Sequence, residues 1–190
     1  MSQAKTLTQQ ELRRVLDYVA TRKHAARNRA MLLITHLAGL RVGEVAALRI
    51  NDVLDADGSV RNEIRLDADQ TKGNFARVVF VGEKLHKELT KYLSLYAPAN
   101  HDQKLFYTQK RMREGFNANT LTQHFHHLYR KVGIDGASSH SGRRGFLTNL
   151  ASRGVGVRVL MALAGHRNMA TTQKYLDVND NQMRAAVELV

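Results

Sequence analysis

The chain has 190 residues, 43% of them hydrophobic, enough to bury the core of one domain and short for two. It has no cysteine, which excludes a disulfide framework and any thiolate metal site. Lysine and arginine number 29 against 17 acids, giving a net charge of +12 and an isoelectric point near 10.3; a balance this basic points to a polyanion as partner, nucleic acid ahead of membrane. The basic residues are spread over many segments, as on a folded binding surface, not gathered in a tail. The N-terminal stretch has no signal-peptide core, and no apolar run approaches the ~18 residues of a membrane span. A cytoplasmic protein with no membrane partner is expected.

Thr8-Gln9-Gln10-Glu11 has the pattern of a capping box, and Leu12, Val15, Leu16 and Val19 follow at helical spacing, which predicts a helix over about 9–21. A second helix is expected over 25–38, with Gly39 just past its end, and a short third over 42–48. The period then changes. Val60, Ile64, Leu66 and Val78-Val79-Phe80-Val81 are strand-type runs separated by turn chemistry at 55–58 and 72–74. About three antiparallel strands are predicted, with Lys72 at a hairpin turn.

Helix returns over 83–95, followed by a loop holding the single proline and a buried run at 105–107. Leu121, Phe125, Leu128 and Val132 mark another helix that stops near Gly133. Ser138 or Ser139 is placed to cap a helix over about 140–153, and helices at 157–164, 168–175 and 179–190 complete the chain. Met183, Ala186, Val187 and Val190 share one face of the last of these. The fold class is α+β, mainly α: a helical bundle with a small three-stranded antiparallel sheet. No linker divides residues 1–190, so a single domain is expected.

His140 and Arg143 are three apart and face the same way on a helix; Arg144 is nearly as well placed, and spacing alone does not choose between the arginines. A guanidinium fork fits two phosphate oxygens. Arg41 follows Gly39-Leu40 at a helix junction, three residues before a Glu44 that can fix its rotamer. Lys72 lies in a glycine-containing turn, His166 follows a helix-ending Gly165, and Tyr175 lies in a polar setting. Each has an ordinary surface or packing explanation when taken alone. His124, His126 and His127 lack a carboxylate or cysteine to complete a metal-ligand set and read as a polar helix face.

Taken together, the order and spacing of these residues resemble the tyrosine recombinase (phage integrase) family. The matching segments are Gly39-Leu40-Arg41-Val42-Gly43-Glu44, Thr71-Lys72-Gly73-Asn74, His140-Ser141-Gly142-Arg143, Gly165-His166, and Tyr175 nine residues beyond that histidine. The resemblance spans nearly the whole chain. Gly142, where the family usually has leucine, Gly145 and Ala164 depart from its pattern. The resemblance implies the catalytic-domain fold of that family and six catalytic positions: Arg41, Lys72, His140, Arg143, His166 and Tyr175. Tyr175 would attack a DNA phosphodiester to give a 3′-phosphotyrosine and a free 5′-hydroxyl. Arg41 and Arg143 would neutralise the phosphorane, His166 would donate a further hydrogen bond, His140 would accept the phenol proton and Lys72 would protonate the leaving oxygen. No metal, cofactor, ATP or small-molecule substrate is implied. The partners implied are double-stranded DNA and further copies of the chain, as a tetramer on DNA, with residues 179–190 as an exchange helix. Fuller members carry an N-terminal DNA-clamping domain; residues 1–40 read as the catalytic domain's own helices, so residues 1–190 hold none, either as a natural single-domain member or as the catalytic domain of a longer protein. The competing readings are a catalytically silent DNA-binding protein on the same scaffold and a type IB topoisomerase. A pure binder would have no use for Tyr175.

Overall fold

The computed structural model describes residues 4–96, 100–108 and 114–175, together with Met183, Arg184, Val187 and Glu188. The Thr8 hydroxyl accepts the Glu11 N–H at 3.1 Å while the Glu11 carboxylate accepts the Thr8 N–H at 2.9 Å, so α1 (Gln9–Ala20) begins at a reciprocal cap. α2 (Ala25–Leu37) is apolar around most of its circumference, and the fold therefore places it centrally, against α1 and the later helices α5 (Glu83–Leu95) and α7 (Ser141–Ser152). Between them lie α3 (Val42–Ala47) and a single turn, α4 (Ile50–Val53). α6 (Ala118–Lys131) packs on α3 and on α1. The main core runs through α1 to α6 and the sheet, with Met31, Leu40, Leu48, Ile64, Leu85, Phe106, Phe125 and Tyr129 fully enclosed.

The sheet has two strands among the described residues, not the three expected. β1 (Glu63–Leu66) and β2 (Arg77–Phe80) pair antiparallel with Ile64 opposite Val79. Val60 makes only an isolated bridge to Leu54. The 55–58 turn is too short to start a strand before Arg61 N–H bonds the Val53 carbonyl, and the chain then passes directly into β1. Ile64, Leu66 and Val79 point into the core, while Val78 and Phe80 are exposed.

The helix expected to be capped by Ser138 or Ser139 starts one residue later. His140 is the cap position and makes no side-chain cap bond; the Ser138 hydroxyl accepts the His140 N–H instead. α8 (Val157–Ala164) and α9 (Met169–Gln173) fold back on α7 around a second, smaller core of Leu147, Leu160 and Ala164, against which Phe146 and Tyr175 pack. The expected helix at 179–190 lies largely outside the described residues. No helix among the described residues is long and apolar enough to cross a membrane.

Two glycines set the approach of α7 to α2. A Cβ on Gly142 would stand 2.1 Å from the Thr35 hydroxyl and 2.8 Å from Thr35 Cβ, so the helices touch where only glycine fits. Gly39, at φ +65°, lets the chain leave α2 directly beneath the Phe146 ring, where a Cβ would meet Cδ1 at 2.4 Å. Both departures from straight helix packing bring α7 close to the end of α2, and they carry its Arg143 there.

Candidate active site

Arg143 is 4% exposed, and neutral acceptors hold it in place. Its Nη1 donates to the Gly39 carbonyl at 2.6 Å; its Nη2 donates to the Ala164 carbonyl at 2.6 Å and lies 2.9 Å from His166 Nε2. Gly39 lies just past the end of α2 and Ala164 is the last residue of α8, so neither carbonyl has a partner inside a helix. Three of the five guanidinium N–H groups are thereby committed, leaving two for a ligand. Burial, with repulsion from Arg41, lowers the hold of Arg143 on its proton, but a guanidinium stays charged at neutral pH.

Arg41 stands at the start of α3, as the sequence predicts, and Glu44 fixes it: Nη1 to Oε1 is 2.8 Å and the Arg41 backbone N–H donates to Oε2 at 2.7 Å. Sequence reasoning missed a third member. Arg77, at the head of β2, donates to Glu44 Oε2 at 2.7 Å and to the Leu163 carbonyl at 3.0 Å. Burial of Glu44 by itself favours the protonated acid; the Arg77 hydrogen bond and charge, then Arg41, outweigh it and hold the carboxyl below its ordinary range. One buried carboxylate therefore ties the first arginine segment to the hairpin.

His166 bonds at both ring nitrogens. Nε2 faces the Arg143 donor and so accepts, which puts the proton on Nδ1, 2.9 Å from the Thr172 hydroxyl. Burial, then Arg143, Arg41 and Arg77, push His166 down to about 4, so it is neutral. In this geometry its single proton is committed to Thr172, and the ring orients Arg143; the expected donation to a phosphate is not poised. Thr172, fully buried in α9 three residues before Tyr175, was given no role from the sequence, because that role is a side-chain contact with His166 that only the fold makes.

Tyr175 follows α9 in a turn, with its ring stacked on His166 at 5.9 Å and the Arg144 guanidinium 5.7 Å from its centroid. His140 is exposed, and burial of part of its ring, then the charges of Arg143, Lys72 and Arg41, lower its pKa. Lys72 is exposed on the β1–β2 connection, with no hydrogen bond or ion pair among the described residues. Arg41, Lys72, His140, Arg143, His166 and Tyr175 all line one open cleft of about 400 Å³, joined by Arg144 and Lys174. The structure thus gathers every residue singled out from the sequence. His126 and His127 are exposed, as read, but His124 turns inward against Phe116, with Nε2 shut off from solvent and without a hydrogen-bond partner among the described residues.

A helical bundle with a hairpin, presenting a tyrosine to one guanidinium held by helix-end carbonyls and a second held by a buried carboxylate, is the architecture of a tyrosine recombinase catalytic domain. Residues 5–182 match the phage integrase family, and the chain belongs to it. It is 30% identical over 185 residues to the tyrosine recombinase XerA of Pyrococcus horikoshii, covering 97% of this chain and 60% of that protein. To the tyrosine recombinase XerC of Corynebacterium glutamicum it is 31% identical over 160 residues, 84% of this chain and 49% of the other. The crystal structure of XerA recombinase superposes with a TM-score of 0.76 at 27% identity, covering 100% of this chain and 66% of that one. The Tn1549 transposon integrase, solved in complex with transposon right end DNA, shares the fold with a TM-score of 0.77 at 19% identity, over 100% and 67% of the two chains. The chain spans about 60% of the length of the XerA proteins it matches.

Proposed function

We propose that this chain is the catalytic unit of a site-specific DNA recombinase that cuts and rejoins DNA through a 3′-phosphotyrosine. The observation that carries the reading is the single cleft in which a tyrosine, two histidines and several cations face one another. Arg41 and the two free donors of Arg143 take the non-bridging oxygens of the scissile phosphate, where negative charge grows as the phenol attacks; one such donor typically contributes about 10²–10³ in rate. His140, its pKa lowered, is neutral and accepts the Tyr175 proton. Lys72 gives a proton to the departing 5′ oxygen. His166 acts through Arg143, holding the fork in plane. The phosphotyrosine conserves the energy of the broken bond, so a new 5′-hydroxyl can reverse the step without ATP. The sequence family, the basic charge and the DNA complexes of fold neighbours support double-stranded DNA as substrate, with assembly of several copies on it in the cytoplasm. A silent DNA-binding role leaves Tyr175 in the cleft without a purpose.

The test uses nicked suicide duplexes tiled across the DNA that flanks the coding sequence. Wild type is expected to leave a covalent protein–DNA band on a denaturing gel, and Tyr175→Phe to bind the same duplex without forming one. A band that persists in Tyr175→Phe removes the nucleophile assignment; no band with wild type on any duplex removes the cleavage reading.

A further inference from the structure

Residues 72–76 are all exposed, and among the described residues no hydrogen bond or ion pair ties them to another element. The loop nevertheless carries hydrogen bonds of its own. The Thr71 hydroxyl accepts the Phe75 N–H at 3.1 Å and lies 2.9 Å from the Phe75 carbonyl, the Asn74 N–H reaches the Thr71 carbonyl at 3.3 Å, and Asn74 takes a left-handed φ of +55°. Lys72 and Phe75 therefore lie in one internally hydrogen-bonded turn. Phe75 is 52% exposed, so it serves no core. What touches it is Arg167: the guanidinium carbon lies 4.2 Å from the Phe75 ring centroid. Arg167 has no carboxylate partner among the described residues and follows His166 directly in the chain. Both side chains wall a second cleft of about 520 Å³ that shares Arg41, Lys72 and His166 with the first.

We infer that Arg167 and Phe75 form a latch that positions Lys72 for proton delivery to the leaving group. A cation over an aromatic face attracts even in water, while leaving the guanidinium edges and the lysine free. The latch spans from the segment that orients Arg143 to the loop that carries the acid, so the two ends of the scissile bond are set from one place. The inference rests on the cleavage reaction proposed above. In that reaction the phenol oxygen bonds to phosphorus, its proton passes to His140, the bond to the 5′ oxygen breaks, and a Lys72 ammonium proton ends on that oxygen. The latch acts only on the last transfer. Neither Arg167 nor Phe75 touches the reacting atoms; they are positioning residues.

A leaving group that needs no proton separates this role from a simple DNA contact. An alkyl thiolate leaves unaided near neutral pH, since a thiol has a pKa of about 8.5. Phe75→Leu, Phe75→Tyr, Arg167→Met and the Phe75→Leu/Arg167→Met double variant are compared in single-turnover cleavage of a nicked duplex with oxygen or sulfur at the 5′ bridging position. With oxygen, Phe75→Leu and Arg167→Met are expected to slow cleavage about two- to fivefold, the size of one exposed cation–π contact. The double variant should be no slower than either single, Phe75→Tyr should match wild type, and with sulfur all should match wild type. Equal slowing on both leaving groups, or additive losses, overturns the latch. A second readout needs no DNA: trypsin is expected to cut the free protein after the exposed Lys72, and release of the loop should speed that cut in Phe75→Leu and Arg167→Met but not in Phe75→Tyr. Unchanged nicking overturns the latch even where wild type cleaves no duplex, an outcome that by itself removes only the cleavage reading.

Discussion

Replacing Glu44 with glutamine tests the buried charge network on which the cleft is built. Glu44 is 1% exposed and accepts from Arg77 Nη2 at 2.7 Å, Arg41 Nη1 at 2.8 Å and the Arg41 N–H at 2.7 Å. Breaking a buried pair by removing one partner costs about 3–5 kcal/mol, mainly because the other charge stays buried and unpaired. Arg77 is such a charge, its side chain only 9% exposed; Arg41, at 23%, can turn towards water. The Glu44→Gln loss is therefore placed at about 3 kcal/mol, the lower end of that range. Glutamine keeps the volume and one acceptor, but its amide NH₂ meets a guanidinium as donor against donor. With a urea slope of about 2 kcal/mol/M the unfolding midpoint should fall by about 1.5 M. The pH dependence carries the sign. The folded carboxyl titrates below its ordinary range, so its stabilisation is complete above the unfolded value of about 4.3 and is lost as pH falls through the folded one. The gap between wild type and variant should be constant from neutral pH down to about pH 5 and should begin to narrow below about pH 4. A midpoint shift under about 0.3 M, or a gap that widens in acid, refutes the reasoning.

Gly142→Leu, which installs the residue usual in the family, should destabilise this protein by about 1–3 kcal/mol in urea titration, because the new Cβ meets Thr35 Oγ1 at 2.1 Å; Thr35→Ala should recover part of the loss. Thr172→Val removes the partner of His166 Nδ1 at unchanged volume; a loss of about 1 kcal/mol is expected, with the ¹⁵N shifts of the His166 ring no longer reporting one fixed tautomer. His36, its Nε2 enclosed and unpartnered, is pushed down to about 4 by burial. Between that value and the unfolded 6.5 only the unfolded chain takes up the proton, so stability falls as pH drops through this window. His36→Leu should flatten the slope by up to about 1.4 kcal/mol per pH unit, read from unfolding midpoints between pH 4 and 7.

The residues legible from sequence are those whose partners are near in the chain. Arg41 and Glu44 sit three apart, and the expected rotamer-fixing pair is present at 2.8 Å. The Thr8–Glu11 box is likewise local. Arg77 escaped because its partner Glu44 lies 33 residues away and strand periodicity makes Arg77 only a flanking residue. Gly142 read only as a departure from the family's pattern; the structure makes it the contact point, because what a small residue does for packing depends on what faces it. The hydrophobic run at Val60 looked like strand, yet a strand needs a neighbour along its whole length, and Val60 is offered only Leu54. His166 shows the same limit in chemistry: motif spacing locates the ring, but which nitrogen holds the proton depends on Arg143 and Thr172, which only the fold brings to it.

The cleft gathers Arg41, Lys72, Arg143, Arg144 and Lys174 with no carboxylate in its lining among the described residues; Glu44 is paired to Arg41 behind it. Like charges so close repel, and counter-carboxylates would relieve that repulsion, but an incoming phosphate would then have to displace them. The fold uses partial charges. Gly39 follows the end of α2, and Ala164 and Leu163 end α8; their carbonyls hold Arg143 and Arg77. A helix C-terminus presents roughly half a negative charge. That is enough to orient a guanidinium and too little to neutralise it. The arginines are held in position while the residual repulsion among them remains. A bound phosphate discharges it, so the energy of assembling the cleft is returned when substrate binds, and an anion that fills the cleft should raise the stability of the fold by RT ln(1 + [L]/Kd).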